Sequence, residues 1–187
     1  MLWKRLTDLL LSVTALVCLS PLILLIALLI KLDSPGSVIF RQRRIGRFGQ
    51  LFEIYKFRSM RQGTPDLPTD QMQLLPSPVT KIGSFLRRTS LDELPQLINV
   101  ALGEMSLVGP RPALYNQTEL TAKRKAARVL DFPPGITGWA QINGRDELPD
   151  DLKVEADQWY CRNWSYWLDW QIIFSTFQAV VSKRGAI

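Results

Sequence analysis

Two adjacent carboxylates, Asp92 and Glu93, are the residues best suited to chemistry in this chain. They follow a basic pair at 87–88, and Ser90 precedes Glu93 at the spacing of a capping box, which predicts a helix running to about Leu102. In the first turn of a helix, unpaired N–H groups and the helix dipole favour an anion, so we expect Asp92 to stay ionised. Such a carboxylate can attack phosphorus, hold a metal ion or only cap the helix.

Two arginines are candidates for phosphate binding because of the segments in which they lie. Arg111 stands between two prolines that follow a glycine, and a fixed backbone suits the presentation of a guanidinium to phosphate. Arg145 ends the segment 133–145, which contains three glycines and two prolines, so we expect its backbone to approach a ligand closely. A proline-rich turn with an incidental exposed arginine is the simpler alternative for Arg111.

The positive charge of the chain is concentrated in one segment. Residues 41–61 hold seven Arg or Lys and one acid, Glu53, which accounts for the whole net charge of +6. Such a band indicates an anionic partner, which can be phosphate groups, acidic lipid or nucleic acid. The chain has no histidine, which excludes histidine acid–base chemistry and histidine metal sites. Cys18 and Cys161 lack CxxC spacing, so we expect neither a zinc site nor a disulfide framework.

A long apolar segment runs from Leu6 to Leu32 and has no charged residue across the 22 positions 9–30. As a helix, these positions would extend about 33 Å, enough to cross the hydrocarbon core of a bilayer. Ser20 and Pro21 at its centre predict a break, because proline donates no backbone hydrogen bond and serine can bond to the preceding turn. Basic residues flank both ends, and positive charge favours the cytoplasmic side. A re-entrant helix pair fits both features, and a kinked spanning helix is the alternative.

The segments on either side of residue 70 are predicted to position the carboxylates. Residues 38–60 alternate in polarity around Gly46 and Gly49, which predicts a β-hairpin. Its interleaved basic and aromatic side chains suit nucleic acid, lipid headgroups or a solvated strand face. A helix is predicted to begin near Thr80 and to bring the basic pair at 87–88 to the carboxylates.

Two further helices are predicted towards the C-terminus. Residues 113–130 are polar and basic, which is typical of a solvated or membrane-facing surface helix. Six Trp or Tyr residues lie within 159–170, and these side chains favour the headgroup level of a bilayer. We therefore expect an amphipathic interfacial helix, with an aromatic core stripe as the alternative. Its aromatic face would consist of Trp167, Trp170, Phe174 and Phe177.

The order of these features resembles the bacterial sugar transferases, in particular the small monotopic phosphoglycosyl transferases. The motifs that carry the resemblance are the apolar N-terminus with Ser-Pro at its centre and residues 36–40, 55–60, 90–97, 108–112 and 134–141. The resemblance extends from about Lys4 to Arg184, and at 187 residues the chain is similar to the minimal form of the family.

The resemblance implies a reaction and its catalytic residues. The family transfers a phospho-sugar from a UDP-sugar to a polyprenol phosphate, usually undecaprenyl phosphate, giving a polyprenol diphosphate sugar and UMP. This is the first membrane step of glycoconjugate and exopolysaccharide pathways, and it needs Mg²⁺. By match, Asp92 is expected to form a covalent aspartyl phospho-sugar, Glu93 to assist through the metal, and Ser20-Pro21 to make the first helix re-entrant. Both carboxylates are therefore expected metal ligands.

Phosphoryl transfer depends on positioning and charge neutralisation, so the donor diphosphate must be met by cations. The expected phosphate-binding residues are Lys56, Arg58, Arg87, Arg111 and Arg145. Expected partners are a UDP-sugar, a polyprenol phosphate, membrane lipids and a second copy of the chain, with no nucleic acid.

The expected fold is α+β and mostly helical, with an N-terminal re-entrant membrane helix, a small β-hairpin and amphipathic interfacial helices. Residues 1–33 would form the membrane helix, and residues 34–187 a cytoplasmic, membrane-associated catalytic domain. The protein would be monotopic, on the cytoplasmic face of the bacterial inner membrane.

Two alternatives assign no catalysis to the chain. In the first, a membrane-surface protein binds acidic lipid through the basic band at 41–61. In the second, a nucleic-acid-binding protein uses the basic hairpin and shows steeply salt-dependent affinity. The uncharged segment at 9–30 argues against the second alternative.

Overall fold

The computed structural model describes residues 1–64, 78–144 and 148–181 and shows a mostly helical α+β fold. The helices are α1 (Leu2–Cys18), α2 (Ser20–Asp33), α3 (Lys81–Arg88), α4 (Gln96–Leu102), α5 (Thr118–Ala126), α6 (Trp139–Ile142), α7 (Asp150–Asn163) and α8 (Tyr166–Val181). The strands are β1 (Ile39–Ile45), β2 (Leu51–Phe57), β3 (Ser106–Val108) and β4 (Gly135–Thr137). β1 and β2 pair antiparallel, and β3 and β4 pair parallel. The predicted mixed, mostly helical composition is confirmed.

The apolar N-terminal segment is broken into α1 and α2, which meet at an angle of 62°. In an unbroken helix the carbonyl of Val17 would accept the N–H of residue 21, and Pro21 has no N–H. The hydroxyl of Ser20 donates to this carbonyl instead, at 2.8 Å. The predicted break is therefore confirmed. Within the described residues, no helix alone has the length and apolar composition to cross a bilayer, although the bent pair has both when taken together.

Helix α1 turns its polar side inwards and its apolar side outwards. Its buried residues are Lys4, Asp8 and Ser12, which recur every fourth residue. Lys4 forms a buried ion pair with Asp169 of α8 at 2.5 Å, and Asp8 accepts the N–H of Leu107 in β3 at 3.2 Å. The exposed face carries large apolar side chains, among them Leu2, Trp3, Leu6, Leu10, Val13 and Val17. This arrangement is the reverse of an ordinary surface helix, whose apolar stripe faces the core.

The end of α2 contacts the same folded body as the start of α1. The carboxylate of Asp33 accepts the N–H of Ile82 in α3 at 3.1 Å. Arg58, directly after β2, donates to the carbonyls of Ser34 and Pro35 at 2.6 and 2.7 Å. Both ends of the bent pair are therefore held on one body.

The β1–β2 hairpin is attached to α4 by a buried asparagine. Asn99 accepts the N–H of Tyr55 at 3.0 Å and donates to the carbonyl of Glu53 at 2.7 Å, so it pairs with the edge of β2 as a neighbouring strand would. Ile54 and Phe57 lie on opposite faces of β2, and both are buried. They are covered by α4 on one face and by α2 and α3 on the other. The predicted hairpin is confirmed, but this part of it is not a solvated strand.

Helix α3 begins where the sequence predicts. The hydroxyl of Thr80 accepts the N–H of Gly83 at 3.0 Å and caps the first turn. A Cβ on Gly83 would overlap the carbonyl of Ser59, so the glycine lets α3 lie directly against the chain that follows β2. This contact directs the end of α3, with Arg87, towards the carboxylates.

The helix predicted over residues 113–130 is shorter and more buried than expected. The carbonyl of Ala113 accepts the N–H of Ile45 at 2.9 Å, so the chain here is extended beside β1 and α5 starts only at Thr118. Arg124 in α5 is buried because it pairs with Asp157 of α7 at 2.6 Å. The predicted bounds of this helix are therefore wrong and Arg124 is buried, whereas Lys125 and Arg128 lie exposed at the surface as predicted.

Helix α8 packs one face on the fold and exposes the other, and both faces are largely apolar. Its inner face packs with β3 and α7 in a cluster of Val108, Tyr160, Leu168 and Ile172. Its exposed face consists of Trp167, Trp170, Phe174 and Phe177. The predicted aromatic face is thus confirmed as a surface, because none of its four side chains belongs to the core.

Candidate active site

The carboxylates lie in a 3₁₀ turn, Leu91–Glu93, and not in the first turn of an α-helix. The predicted capping box is wrong, because Ser90 has a left-handed backbone with φ of 55° and its side chain makes no capping bond. Pro95 explains the difference, since it has no N–H to bond to the carbonyl of Leu91. The turn closes by shorter-range bonds, from the N–H of Glu93 to Ser90 at 3.2 Å and from that of Leu94 to Leu91 at 3.3 Å.

Glu93 is bound by two cations from different parts of the fold. Lys56 of β2 donates to Glu93 Oε1 at 2.7 Å, and both terminal nitrogens of Arg111 lie 3.3 Å from the same oxygen. Burial opposes the charge of Glu93, but the attraction and hydrogen bonds of Lys56 and Arg111 outweigh it and lower the pKa of Glu93 from 4.5 to about 2. Glu93 is therefore an ionised acceptor that holds both cations beside Asp92.

Asp92 lies next to this cluster, and its pKa moves in the opposite direction. Burial raises the pKa of Asp92 above its ordinary value of 3.8, and the charge of Glu93 adds to this rise, whereas Lys56, Arg87 and Arg111 oppose it. Dehydration therefore outweighs the attraction of the cations in setting the pKa of Asp92, and the ionised state of Asp92 at neutral pH stays a prediction. A poorly hydrated carboxylate close to positive charge is suited to attack an anionic phosphate group.

Arg111 is presented by a short loop that packs on the glycine-rich segment after α5. The N–H of Gly109 bonds to the carbonyl of Thr137, and the N–H of Gly135 bonds to that of Pro110, both at 2.9 Å. A Cβ on either glycine would overlap the backbone of the facing segment. These two glycines therefore allow two backbone segments to approach each other. The sequence pattern of residues 133–145 predicted instead that the backbone approaches a ligand.

The other predicted phosphate-binding residues occupy different positions. Arg87 lies at the end of α3, where its charge acts on Asp92. Arg58 is buried, and its hydrogen bonds to the end of α2 favour a role in fixing that helix end. Phosphate binding by Arg58 stays a prediction. Arg145 lies outside the described residues.

Two polar residues that support the site were not identified from the sequence. Asn99 attaches β2, and with it Lys56, to α4. Arg124 donates to the backbone carbonyl of Arg111 at 2.6 Å. An amide inside the apolar run 97–101 was a signal for Asn99, whereas Arg124 has no such signal because it lies within a run of basic residues.

Binding of Mg²⁺ by Asp92 and Glu93 stays a prediction. Within the parts of the chain that the structure describes, no three His, Cys, Asp or Glu side chains are grouped so that they could hold a metal ion. Mg²⁺ is often held by one or two carboxylates together with waters and substrate phosphates, and these two residues supply such a pair. Because Glu93 Oε1 is bound by Lys56 and Arg111, Asp92 is the less constrained donor of the two.

The chain matches one protein family along almost its whole length: residues 1–183 match the family described as bacterial sugar transferase. A UDP-glucose:undecaprenyl-phosphate glucose-1-phosphate transferase of Escherichia coli (strain K12) is 46% identical over 192 residues, covering 98% of this chain and 41% of that protein. An undecaprenyl-phosphate glucose phosphotransferase of Komagataeibacter xylinus is 48% identical over 198 residues, covering 100% of this chain and 37% of that protein.

A third relative is close to this chain in length. It is an uncharacterized sugar transferase, EpsL, of Bacillus subtilis (strain 168), which is 42% identical over 188 residues, covering 99% of this chain and 90% of that protein. The chain therefore spans less than half of the E. coli and K. xylinus relatives and most of the B. subtilis relative.

The low pKa of Glu93 predicts a specific acid sensitivity. A folded-state pKa of about 2, against an ordinary value of 4.5, means that ionised Glu93 contributes its full stability above pH 4.5 and loses this contribution as the pH falls towards 2. Glu93→Gln should remove this part of the pH dependence. The measurement is the thermal unfolding temperature in detergent at about pH 5 and about pH 3.

Glu53→Gln is the matched control, because Glu53 is 48% exposed and its nearest cation, Arg41, is 3.8 Å away. This variant should keep the acid sensitivity of the wild-type protein. If Glu93→Gln and the wild-type protein lost the same stability between the two pH values, the pairing of Glu93 with Lys56 and Arg111 would not contribute to stability as described.

Proposed function

The chain belongs to the bacterial sugar transferase family, and we propose that it transfers a phospho-sugar from a UDP-sugar to a polyprenol phosphate. UDP-glucose and undecaprenyl phosphate are the substrates to test first, because the E. coli relative is named for them. The observation that carries the proposal is the position of Asp92 beside Lys56, Arg87 and Arg111 in a chain of this family.

In the proposed first step, the carboxylate of Asp92 attacks the β-phosphorus of the UDP-sugar. An oxygen–phosphorus bond forms, the bond between this phosphorus and the bridging oxygen breaks, and UMP leaves with the electron pair. Lys56, Arg87 and Arg111 neutralise the diphosphate, since an anionic nucleophile and an anionic phosphate otherwise repel each other. Mg²⁺, when bound by Asp92 and Glu93, supplies further positive charge at the phosphates.

In the proposed second step, an oxygen of the polyprenol phosphate attacks the phosphorus of the aspartyl phospho-sugar. The bond to Asp92 breaks, the carboxylate is regenerated, and the polyprenol diphosphate sugar forms. The same cations serve both steps because both occur at one carboxylate. The partial burial of Asp92 supports this route, since it restricts the access of water to a covalent intermediate at this position.

A water-insoluble acceptor requires contact with a bilayer, and the structure supports a re-entrant membrane segment at residues 1–33. The exposed faces of α1 and α2 are apolar, and the polar residues of α1 are used inside the protein. Lys4 and Asp8 hold one end of the bent pair to the folded body, and Asp33 holds the other end. Residues 34–187 then lie on the cytoplasmic face, where positive flanks are favoured, with the aromatic face of α8 at the headgroup level.

Acidic-lipid binding without catalysis is a second candidate function, favoured by the surface of the hairpin. Arg41, Arg43 and Arg47 are exposed on β1 and the turn that follows it. This function would give binding to anionic vesicles that survives Asp92→Asn, with no release of UMP from any donor.

Release of UMP tests the proposed reaction. Purified protein in detergent is given Mg²⁺, undecaprenyl phosphate and a panel of UDP-sugars that begins with UDP-glucose. We expect UMP release with one donor and a loss of at least about 1,000-fold in Asp92→Asn, because the nucleophile is removed. Asp151→Asn is the matched control, since Asp151 is 75% exposed in α7, and it should keep wild-type activity.

The covalent step has its own test. With the UDP-sugar donor and Mg²⁺ but no acceptor, mass spectrometry should find a phospho-sugar on the peptide that contains Asp92. Absence of this adduct under conditions that support turnover would favour direct transfer, and UMP release that survives Asp92→Asn would assign the nucleophile to another residue.

The re-entrant geometry predicts that both ends of the apolar segment are on the same side of the membrane. A cysteine inserted directly after Met1, and Ser37→Cys, place single thiols before α1 and after α2 in a chain with Cys18→Ala and Cys161→Ala. A membrane-impermeant maleimide should label both thiols in inverted vesicles and neither in right-side-out vesicles, with labelling in detergent as the control for reactivity. Labelling of the two positions from opposite sides would show a spanning segment.

A further inference from the structure

The loop that presents Arg111 is held from outside at four consecutive backbone carbonyls, residues 110–113. Two backbone groups donate at the ends of this run: the N–H of Gly135 in β4 to the carbonyl of residue 110, and the N–H of Ile45 to that of residue 113, both at 2.9 Å. Two guanidinium groups donate between them: Arg124 to the carbonyl of residue 111 at 2.6 Å, and Arg44 to that of residue 112 at 3.0 Å. A loop whose carbonyls are all bound in this way cannot rotate its peptide planes freely. The direction of the Arg111 side chain is therefore determined by residues distant in the sequence.

Arg124 is the donor that acts at residue 111 itself, and it is an unusual residue for its position. Its side chain is 5% exposed, and its other terminal nitrogen donates to Asp157 of α7 at 2.6 Å. Burying a guanidinium is costly unless the charge is paired and its hydrogen bonds are satisfied. The planar fork of arginine can bind a carboxylate and a carbonyl at fixed angles, which the ammonium group of lysine cannot do.

We propose that Arg124, held by Asp157, is a positioning residue for Arg111. By binding the carbonyl of residue 111, it aims the Arg111 guanidinium at Glu93 and therefore at the phosphate site beside Asp92. The contacts are continuous, from Asp157 to Arg124 at 2.6 Å, from Arg124 to Arg111 at 2.6 Å and from Arg111 to Glu93 at 3.3 Å. The effect of Arg124 on turnover rests on the proposed function, because there the task of Arg111 is to neutralise the diphosphate.

A purely structural role for Arg124 would join α5 to α7 and affect only the stability of the fold. The two roles differ in how their effects combine with the loss of Arg111. If Arg124 acts through the side chain of Arg111, its effect on turnover disappears once that side chain is removed. Its effect on stability does not disappear, because Arg111→Ala leaves the carbonyl of residue 111 in place.

Arg124→Lys is the informative variant because it keeps a positive charge beside buried Asp157, and therefore preserves the fold, while it removes the fork. Arg128→Lys makes the same exchange two residues beyond the end of α5, at a side chain that is 85% exposed. Hydrogen exchange measured by mass spectrometry on peptides covering residues 105–115 needs no substrate. We expect faster exchange in Arg124→Lys and wild-type exchange in Arg128→Lys.

The rate of UMP release gives the second readout. We expect Arg124→Lys to lower kcat/KM by about tenfold or more, since a small displacement of a positioning group is costly in catalysis. In an Arg111→Ala background, the same change should lower kcat/KM by less than about twofold, while the effects on unfolding temperature remain additive. Arg128→Lys should leave kcat/KM unchanged in both the wild-type and the Arg111→Ala background.

Each result decides a separate point. Unchanged exchange at 105–115 in Arg124→Lys, or losses in kcat/KM that add fully in the double variant, would overturn the positioning role. If the wild-type protein released no UMP from any donor, the proposed function would fail. In that case the hydrogen exchange would still show whether Arg124 holds the loop.

Discussion

The hydrogen bonds of Glu93 to Lys56 and Arg111 connect three segments that are distant in sequence. Lys56 comes from the hairpin, Arg111 from the loop after β3, and Glu93 from the 3₁₀ turn before α4. A buried carboxylate without partners is strongly destabilising, so the fold must keep both cations in place. The same constraint puts their charges next to Asp92, which is the arrangement that the proposed binding of an anionic substrate requires.

The elements around this cluster each fix one of its members. Asn99 attaches the strand that carries Lys56, and four external donors hold the loop that carries Arg111. The facing glycines after β3 and in β4 let the two backbones approach closely enough for these hydrogen bonds. Part of the polar interior, Asn99 and the Arg124–Asp157 pair, therefore helps to hold two cations at one carboxylate, which agrees with the need of phosphoryl transfer for positioned charge.

Helix α1 is also held to the folded body by paired polar side chains. Lys4 and Asp8 face the protein at helical spacing, and their partners are a carboxylate of α8 and a backbone N–H of β3. Polar residues in a helix with an apolar outer face are expected to point into the protein, where they can be paired. The bent pair is thus a fixed part of the folded body, held at both of its ends.

Local chemistry in the sequence determined the features that depend on neighbouring residues. These include the break at Ser20-Pro21, the hairpin around Gly46 and Gly49, the cap at Thr80 and the aromatic face of α8, since each follows from a missing N–H, a turn preference or a periodicity. The motif around Asp92 and Glu93 was also visible, but the capping box did not form, because Ser90 has a left-handed backbone, and Pro95 interrupts the helix that the pattern predicts.

Only the tertiary structure decided which charges are buried and which partners they meet. The sequence pattern predicts phosphate binding for Arg58 and a surface position for Arg124, yet Arg58 binds the end of α2 and Arg124 binds the backbone of Arg111. Burial raises the pKa of Asp92, whereas Lys56 and Arg111 lower the pKa of Glu93 despite its burial. The physical reason is that desolvation and pairing depend on distances between residues far apart in the chain, and a linear pattern does not contain those distances.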